Sequence, residues 1–194
     1  MTTVGRNPVV HPETVEAPGP MITKSAAKAL AVLRISTGFV FLWAFFDKMF
    51  GLGYATPTER AWINGGSPTK GFLSSVEMGP FQDFFHSIAG QTWTNWLFML
   101  GLLGIGLALI LGIGLRIAAV AAMLMMAMMW LAELPLAQTT ASGEPSGSTN
   151  PLVDYHVVYA LAAITAAFTY AGHVWGLGRW WSSLPVVRKN RWLI

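Results

Sequence analysis

Long apolar stretches alternate with short polar ones along this chain, and the longest apolar run, residues 26–54, sets the pattern. In AAKALAVLRISTGFVFLWAFFDKMFGLGY the charges stand towards the two ends, at Lys28 and Arg34 and at Asp47 and Lys48. Three further apolar runs follow, each near the ~20 residues that cross ~30 Å of hydrocarbon. The pattern predicts helices over about 26–50, 93–111, 115–134 and 152–175. The expected fold is an all-α membrane protein, a bundle of four transmembrane helices.

Punctuation between the runs refines this. Gly51 and Gly53 stop the first helix. The connection over 54–92 reads as a long outer-face lid of short interfacial helices. Thr56-Pro57-Thr58-Glu59 has the form of a capping box, Ser67-Pro68 offers a second start, and Phe81, Phe84, Phe85 and Ile88 repeat at helical spacing after Gly79-Pro80. Gly101, Gly104, Ala108 and Gly112 form a ladder of small residues suited to close helix packing. Gly112-Ile113-Gly114 makes a tight hairpin, residues 137–151 form a polar loop, and Asn150-Pro151 reads as cap and first position of the fourth helix. Arg34, two turns inside the first helix, is expected to snorkel to the headgroups.

Composition supports the membrane reading. Apolar residues make up 54% and charged residues 11%, against about 25% charged in soluble domains; mean hydropathy is +0.51. The net charge of +3 comes from basic residues that flank the apolar runs, so it points to membrane orientation and not to nucleic acid. Lys24, Lys28, Arg116, Arg179, Arg188, Lys189 and Arg191 fall on one side; Lys48, Arg60 and Lys70 fall on the other. A multi-pass protein of the plasma membrane is expected, with both termini cytoplasmic. Residues 1–24 then form a disordered cytoplasmic tail, 25–178 the membrane domain and 179–194 a basic, aromatic interfacial tail. No cleavable signal peptide is visible, so the first helix serves as an uncleaved anchor.

This topology carries the candidate chemistry to one membrane face. Asp47 and Lys48 end the first helix, Glu133 ends the third, and Asp154, Tyr155, His156 and Tyr159 open the fourth, under a lid that holds Trp62. Asp47, Lys48 and His156 are the catalytic candidates. Lys48 and His156 would donate hydrogen bonds, with Asp47 or Asp154 taking protons. Trp62, Glu133, Asp154, Tyr155 and Tyr159 would line a pocket for a quinone or a small anion. Structural roles compete at each position. Asp154 complements a helix N-terminus, Asp47 could tie the lid backbone or pair with Lys48, and His156 could bond a neighbouring helix.

Other chemistries find less. With no cysteine there is no disulfide, Fe–S cluster or thiolate site. His156 and His173 stand 17 residues apart on one expected helix, so about 25 Å apart, too far to share a haem iron. His156 and the carboxylates follow no recognised ligand spacing, so no metal is expected. The methionines at 123, 125, 126, 128 and 129 spread around their helix and read as adaptable packing. No ionisable residue stands mid-way along the second or third helix to mark a transport path.

The run R-I-S-T-G-F-V-F-L-W-A-F-F-D-K-M-F-G resembles the first helix of the DoxX/DoxD membrane proteins. The connection W-I-N-G-G-S-P-T-K-G-F-L resembles the DoxD-like branch, and L-G-I-G-L-R and G-L-G-R-W-W fit the same pattern. The matching positions are Arg34, Gly38, Asp47, Lys48, Trp62, Gly66, Ser67, Pro68, Gly71 and Arg116. The resemblance implies a four-helix bundle and, for DoxD, a part in a thiosulfate:quinone oxidoreductase. That activity couples two thiosulfates to tetrathionate while reducing a diffusible membrane quinone. It also implies a protein partner or second subunit. The alternative expectation is a non-catalytic membrane anchor for a redox or respiratory partner.

Overall fold

The structure, a computed structural model, describes residues 23–133 and 137–194. The expected N-terminal tail, apart from its last two residues, and the expected end of the third helix at Leu134 lie outside the described residues. Eight α-helices are found in that described part: α1 (Lys24–Phe50), α2 (Lys70–Ser74), α3 (Gln82–Ile88), α4 (Thr92–Leu111), α5 (Leu115–Glu133), α6 (Tyr155–Phe168), α7 (Gly178–Ser183) and α8 (Pro185–Lys189).

Three of these, α1, α4 and α5, are long and apolar enough to cross a membrane. Thr23 caps α1 by accepting from the Ala26 N–H at 3.1 Å, and Gly51 ends it at φ +67°. That left-handed turn suits glycine, which carries no Cβ. Each long helix packs on two of its fellows, α1 on α4, α4 on α5, α5 on α6, and α6 back on α1. Phe41, Phe45, Met99, Leu109, Ala122 and Ala163 are among the side chains buried between them.

Helix α6 is shorter than the 152–175 expected. At its start, Asn150 accepts from the Leu152 and Val153 N–H groups in a local turn, and Asp154 takes the cap instead. An Asx turn and a helix cap use the same oxygen, so Asn150 cannot serve both. At its far end Tyr170 turns left-handed at φ +50° and a short 3₁₀ turn, Ala171–His173, follows. Trp175, also at φ +50°, turns the chain again. Gly112 and Gly172 meet backbone to backbone here, with a Cβ on Gly112 falling 2.7 Å from the Gly172 Cα. A continuous helix would break that contact.

The residue that organises this turn is Arg34, and it does not snorkel. It is wholly buried, and its guanidinium donates to the carbonyls of Leu109, Ile110, Val174 and Trp175, the last at 2.9 Å. The final carbonyls of a helix have no partner within it. Arg34 closes those of α4 and the turn after α6 together, which is stronger solvation than a headgroup two turns away would give.

The small-residue ladder also divides differently. Gly38 and Gly106 are the points where α1 and α4 approach: a Cβ on Gly38 would stand 2.8 Å from Leu109 Cβ, and one on Gly106 2.8 Å from Leu42 N. Gly104 faces open space. In the connection from α1 to α4, Leu73, Val76 and Phe85 pack with Ala132 at the end of α5. Phe81 and Phe84 stay exposed, so the expected aromatic stripe is buried only at Phe85 among the three phenylalanines. The predicted capping box is replaced by two 3₁₀ turns, Thr58–Arg60 and Trp62–Asn64, the first with Pro57 as its cap. Asn95 on α4 holds the connection, its Oδ1 accepting from the Thr69 hydroxyl at 2.6 Å and the Thr69 N–H at 3.2 Å.

Candidate functional site

The tight packing of α5 on α6 sets Glu133, the last residue of α5, beside the first turn of α6. Asp154 is the cap of that turn. Its Oδ1 accepts from the N–H groups of His156 (3.0 Å) and Val157 (3.2 Å), and its Oδ2 lies 2.8 Å from His156 Nδ1. One carboxylate thereby closes the helix start and orients an imidazole. Glu133 reaches the same group: its Oε2 is 4.0 Å from His156 Nδ1, and its Oε1 accepts from the Tyr155 hydroxyl at 2.9 Å. The Tyr155 ring covers the His156 ring with centroids 4.0 Å apart, and Tyr159 follows at 6.0 Å from Tyr155.

His156 is fully buried, yet its two ring nitrogens meet opposite surroundings. Nδ1 faces two carboxylates, whereas Nε2 is buried without a hydrogen-bond partner among the described residues. With Nδ1–H donated to Asp154, a neutral ring presents a lone pair at Nε2. The Asp154 carboxylate fixes the ring through Nδ1 and leaves Nε2 as its free end. The group can therefore pass a proton between the carboxylate side and whatever meets Nε2.

Over the carboxylates lies a cavity of about 550 Å³. Glu133, Asp154 and Tyr155 line it, along with Val76 and Glu77 of the connection and residues 146–150 of the loop before α6. Three lining groups are carboxylates, and among the described residues no Lys or Arg lines it. The cavity can admit water and cations to the carboxylates of the cluster; His156 lies behind them and does not itself line it.

Of the expected site residues, Glu133, Asp154, Tyr155, His156 and Tyr159 come together. The other three stand apart from the cavity. Asp47 is buried, and both its oxygens accept from the connection backbone, from Tyr54 N–H at 3.2 Å and Ala55 N–H at 3.0 Å. Lys48 is half-buried and makes no hydrogen bond or ion pair among the described residues. Trp62 packs edge-on against Trp96 at 4.8 Å. Glu77 and residues 146–150, the latter part of the expected polar loop, are not among the expected site residues, which stand at helix ends and in the lid. The local signal that was present is the Asp-x-His spacing, since a cap carboxylate reaches the side chain two residues on.

The DoxX family profile matches residues 29–133, more than half of the chain. The chain belongs to the DoxX family. This is a family of membrane proteins often linked to quinone oxidoreductases. No curated protein and no solved structure matches the chain. The DoxX match takes in Arg34, Asp47, Lys48 and Glu133 and stops short of Asp154 and His156. In this DoxX chain the cavity is thus built from both the matched part and the part beyond it.

Proposed function

We propose that this protein is the membrane component of a quinone-linked oxidoreductase, with His156 as the group that exchanges protons with the quinone. The observation that carries the reading is the polarity of His156: carboxylates at Nδ1, an unpartnered Nε2 turned from them. With a proton on Nε2 as well, the ring would donate a hydrogen bond to a quinone carbonyl reaching it from lipid and pass that proton on as the quinone is reduced. Asp154 and Glu133 would restore that proton from the cavity.

In this reading α6 and the turn through His173 make the fourth crossing, and the α1–α4 connection is a lid. The greater number of basic residues near the termini puts both termini in the cytoplasm and the cavity outside. Thiosulfate, the electron donor that the DoxD-like resemblance implies, fits the proton balance. Two thiosulfates joining as tetrathionate release two electrons and no proton, while a quinone becoming quinol takes two of each. Both protons must then arrive through the protein. The carboxylate-lined cavity repels a dianion, so such a donor would approach by Lys48 or on a second subunit.

A second reading, a non-catalytic anchor for a redox partner, rests on Asp47. Its oxygens are satisfied by the lid backbone, which is what a structural tie requires. Thiosulfate-dependent quinone reduction by the purified protein separates the two. Turnover is expected to fall about a hundredfold or more in His156→Ala, with the variant still folded by circular dichroism and gel filtration. Asp47→Asn is expected to lower thermal stability while the remaining folded protein keeps its rate. Full turnover in folded His156→Ala would overturn the proton-exchange reading, and turnover absent from the wild-type chain would favour the anchor.

A further inference from the structure

We propose that Glu133, Asp154 and His156 bind a divalent d-block cation of the zinc class on the floor of the cavity. The three residues offer one ligand atom each, and these atoms lie within 4.8 Å of one another. Around a tetrahedral zinc with bonds of about 2.0–2.2 Å, neighbouring ligand atoms stand roughly 3.4 Å apart. The Glu133–His156 separation of 4.0 Å must shorten and the Asp154–His156 hydrogen bond of 2.8 Å must open, small side-chain adjustments that follow once the metal replaces the proton at Nδ1.

Charge and chemistry choose the ligand. Two carboxylates converge on one imidazole, and among the described residues neither pairs with a Lys or Arg. At the edge of a low-dielectric slab that leaves up to two negative charges facing one titratable ring, a demand a dication meets. The cluster is more than an acidic patch, because its third member is a wholly buried imidazole whose Nδ1 is turned to both carboxylates. An imidazole nitrogen favours zinc-class ions over calcium or magnesium, which take oxygen alone. Tyr155 fixes Glu133 through Oε1 and leaves Oε2 towards the site, the arrangement by which an outer hydrogen bond orients a ligand. Three protein ligands under an open cavity leave room for water as the fourth.

Metal and proton exclude each other at Nδ1, so an occupied site would close the proton path described above. The binding itself does not depend on that path, and its test needs no turnover. Zinc chloride would be titrated calorimetrically into the full chain, purified in detergent through a tag without histidine. One equivalent is expected to bind, with affinity falling about tenfold or more in Glu133→Gln and in Asp154→Asn. Asparagine keeps the helix cap, so the second variant removes charge and spares the fold. Glu77→Gln, in the cavity but outside the three, is expected to bind as wild type. Visible absorption by bound Co²⁺ gives a second readout of nitrogen and oxygen ligation. Absence of binding to the wild-type chain, or binding undiminished in both charge variants, would overturn the proposal.

Discussion

Arg34 and Asp47 sit towards opposite ends of α1 and use one device, a buried charge that closes backbone groups left without partners. Asp47 accepts from two N–H groups of the connection, and Arg34 donates to four carbonyls from two segments. A guanidinium can fork to several acceptors in one plane, whereas an ammonium cannot span them. Arg34→Lys is therefore expected to cost about 2–4 kcal/mol, read as a lower midpoint in thermal unfolding in detergent. An unchanged midpoint would mean that water or lipid already serves those carbonyls. His156 belongs with these residues by burial, and like Arg34, whose Nε is also unpartnered among the described residues, it has a nitrogen left open. An imidazole nitrogen, unlike a guanidinium, can both take up and release a proton, which is what sets His156 apart as chemistry.

Among elements, the close approach of α1 to α4 is the feature most exposed to a single change. A side chain at Gly38 or Gly106 meets the facing helix at under 3 Å. Gly38→Val or Gly106→Val is expected to destabilise by about 1–3 kcal/mol through overpacking. Gly104→Ala, with open space beside it, should be neutral or slightly stabilising, since alanine favours the helix. Denaturation by graded sodium dodecyl sulfate measures all three, and equal effects at the three sites would contradict the packing. These elements also show what was legible beforehand. The long apolar runs were, because membrane thickness demands a length that composition reveals. The glycine faces were not, because small residues at every third or fourth position describe more than one stripe, and only the neighbours choose between them. The limits of α6 were missed at Asn150, where cap and local turn compete for one oxygen, and at Tyr170, where a distant glycine stops the helix. In the site, Asp154 and His156 could be joined by local spacing. The reach of Glu133 depended on how α5 packs. Arg34 was misread because a long side chain two turns from a helix end can serve headgroups or carbonyls, and the sequence around it does not distinguish them.

At the scale of the molecule, the cavity and the basic tail occupy opposite ends of the helices. The tail carries exposed Trp180 and Trp192 beside Arg179, Arg188, Lys189 and Arg191, a composition that suits a lipid interface. The absence of native cysteine makes the orientation directly measurable. Ser148→Cys, in the loop over the cavity, is expected to react with a membrane-impermeant maleimide on intact cells. Ser182→Cys, in α7, should react only after permeabilisation. The reverse pattern would place the cavity in the cytoplasm and invert the direction of proton supply.

Arg34 also dictates an order of events during synthesis. It enters the bilayer early, with a full charge, and its acceptors on α4 lie 75 and 76 residues later in the chain. The last two lie 140 and 141 residues later. A nascent chain must therefore carry a half-solvated guanidinium through most of translation, sheltered by the insertion machinery or by displaced headgroups. Only when the turn after α6 is released can Arg34 reach its full set of acceptors. A ribosome that stops before Val174 leaves a chain with its long helices made but with Arg34 held by α4 alone, two of its four carbonyl partners never synthesised.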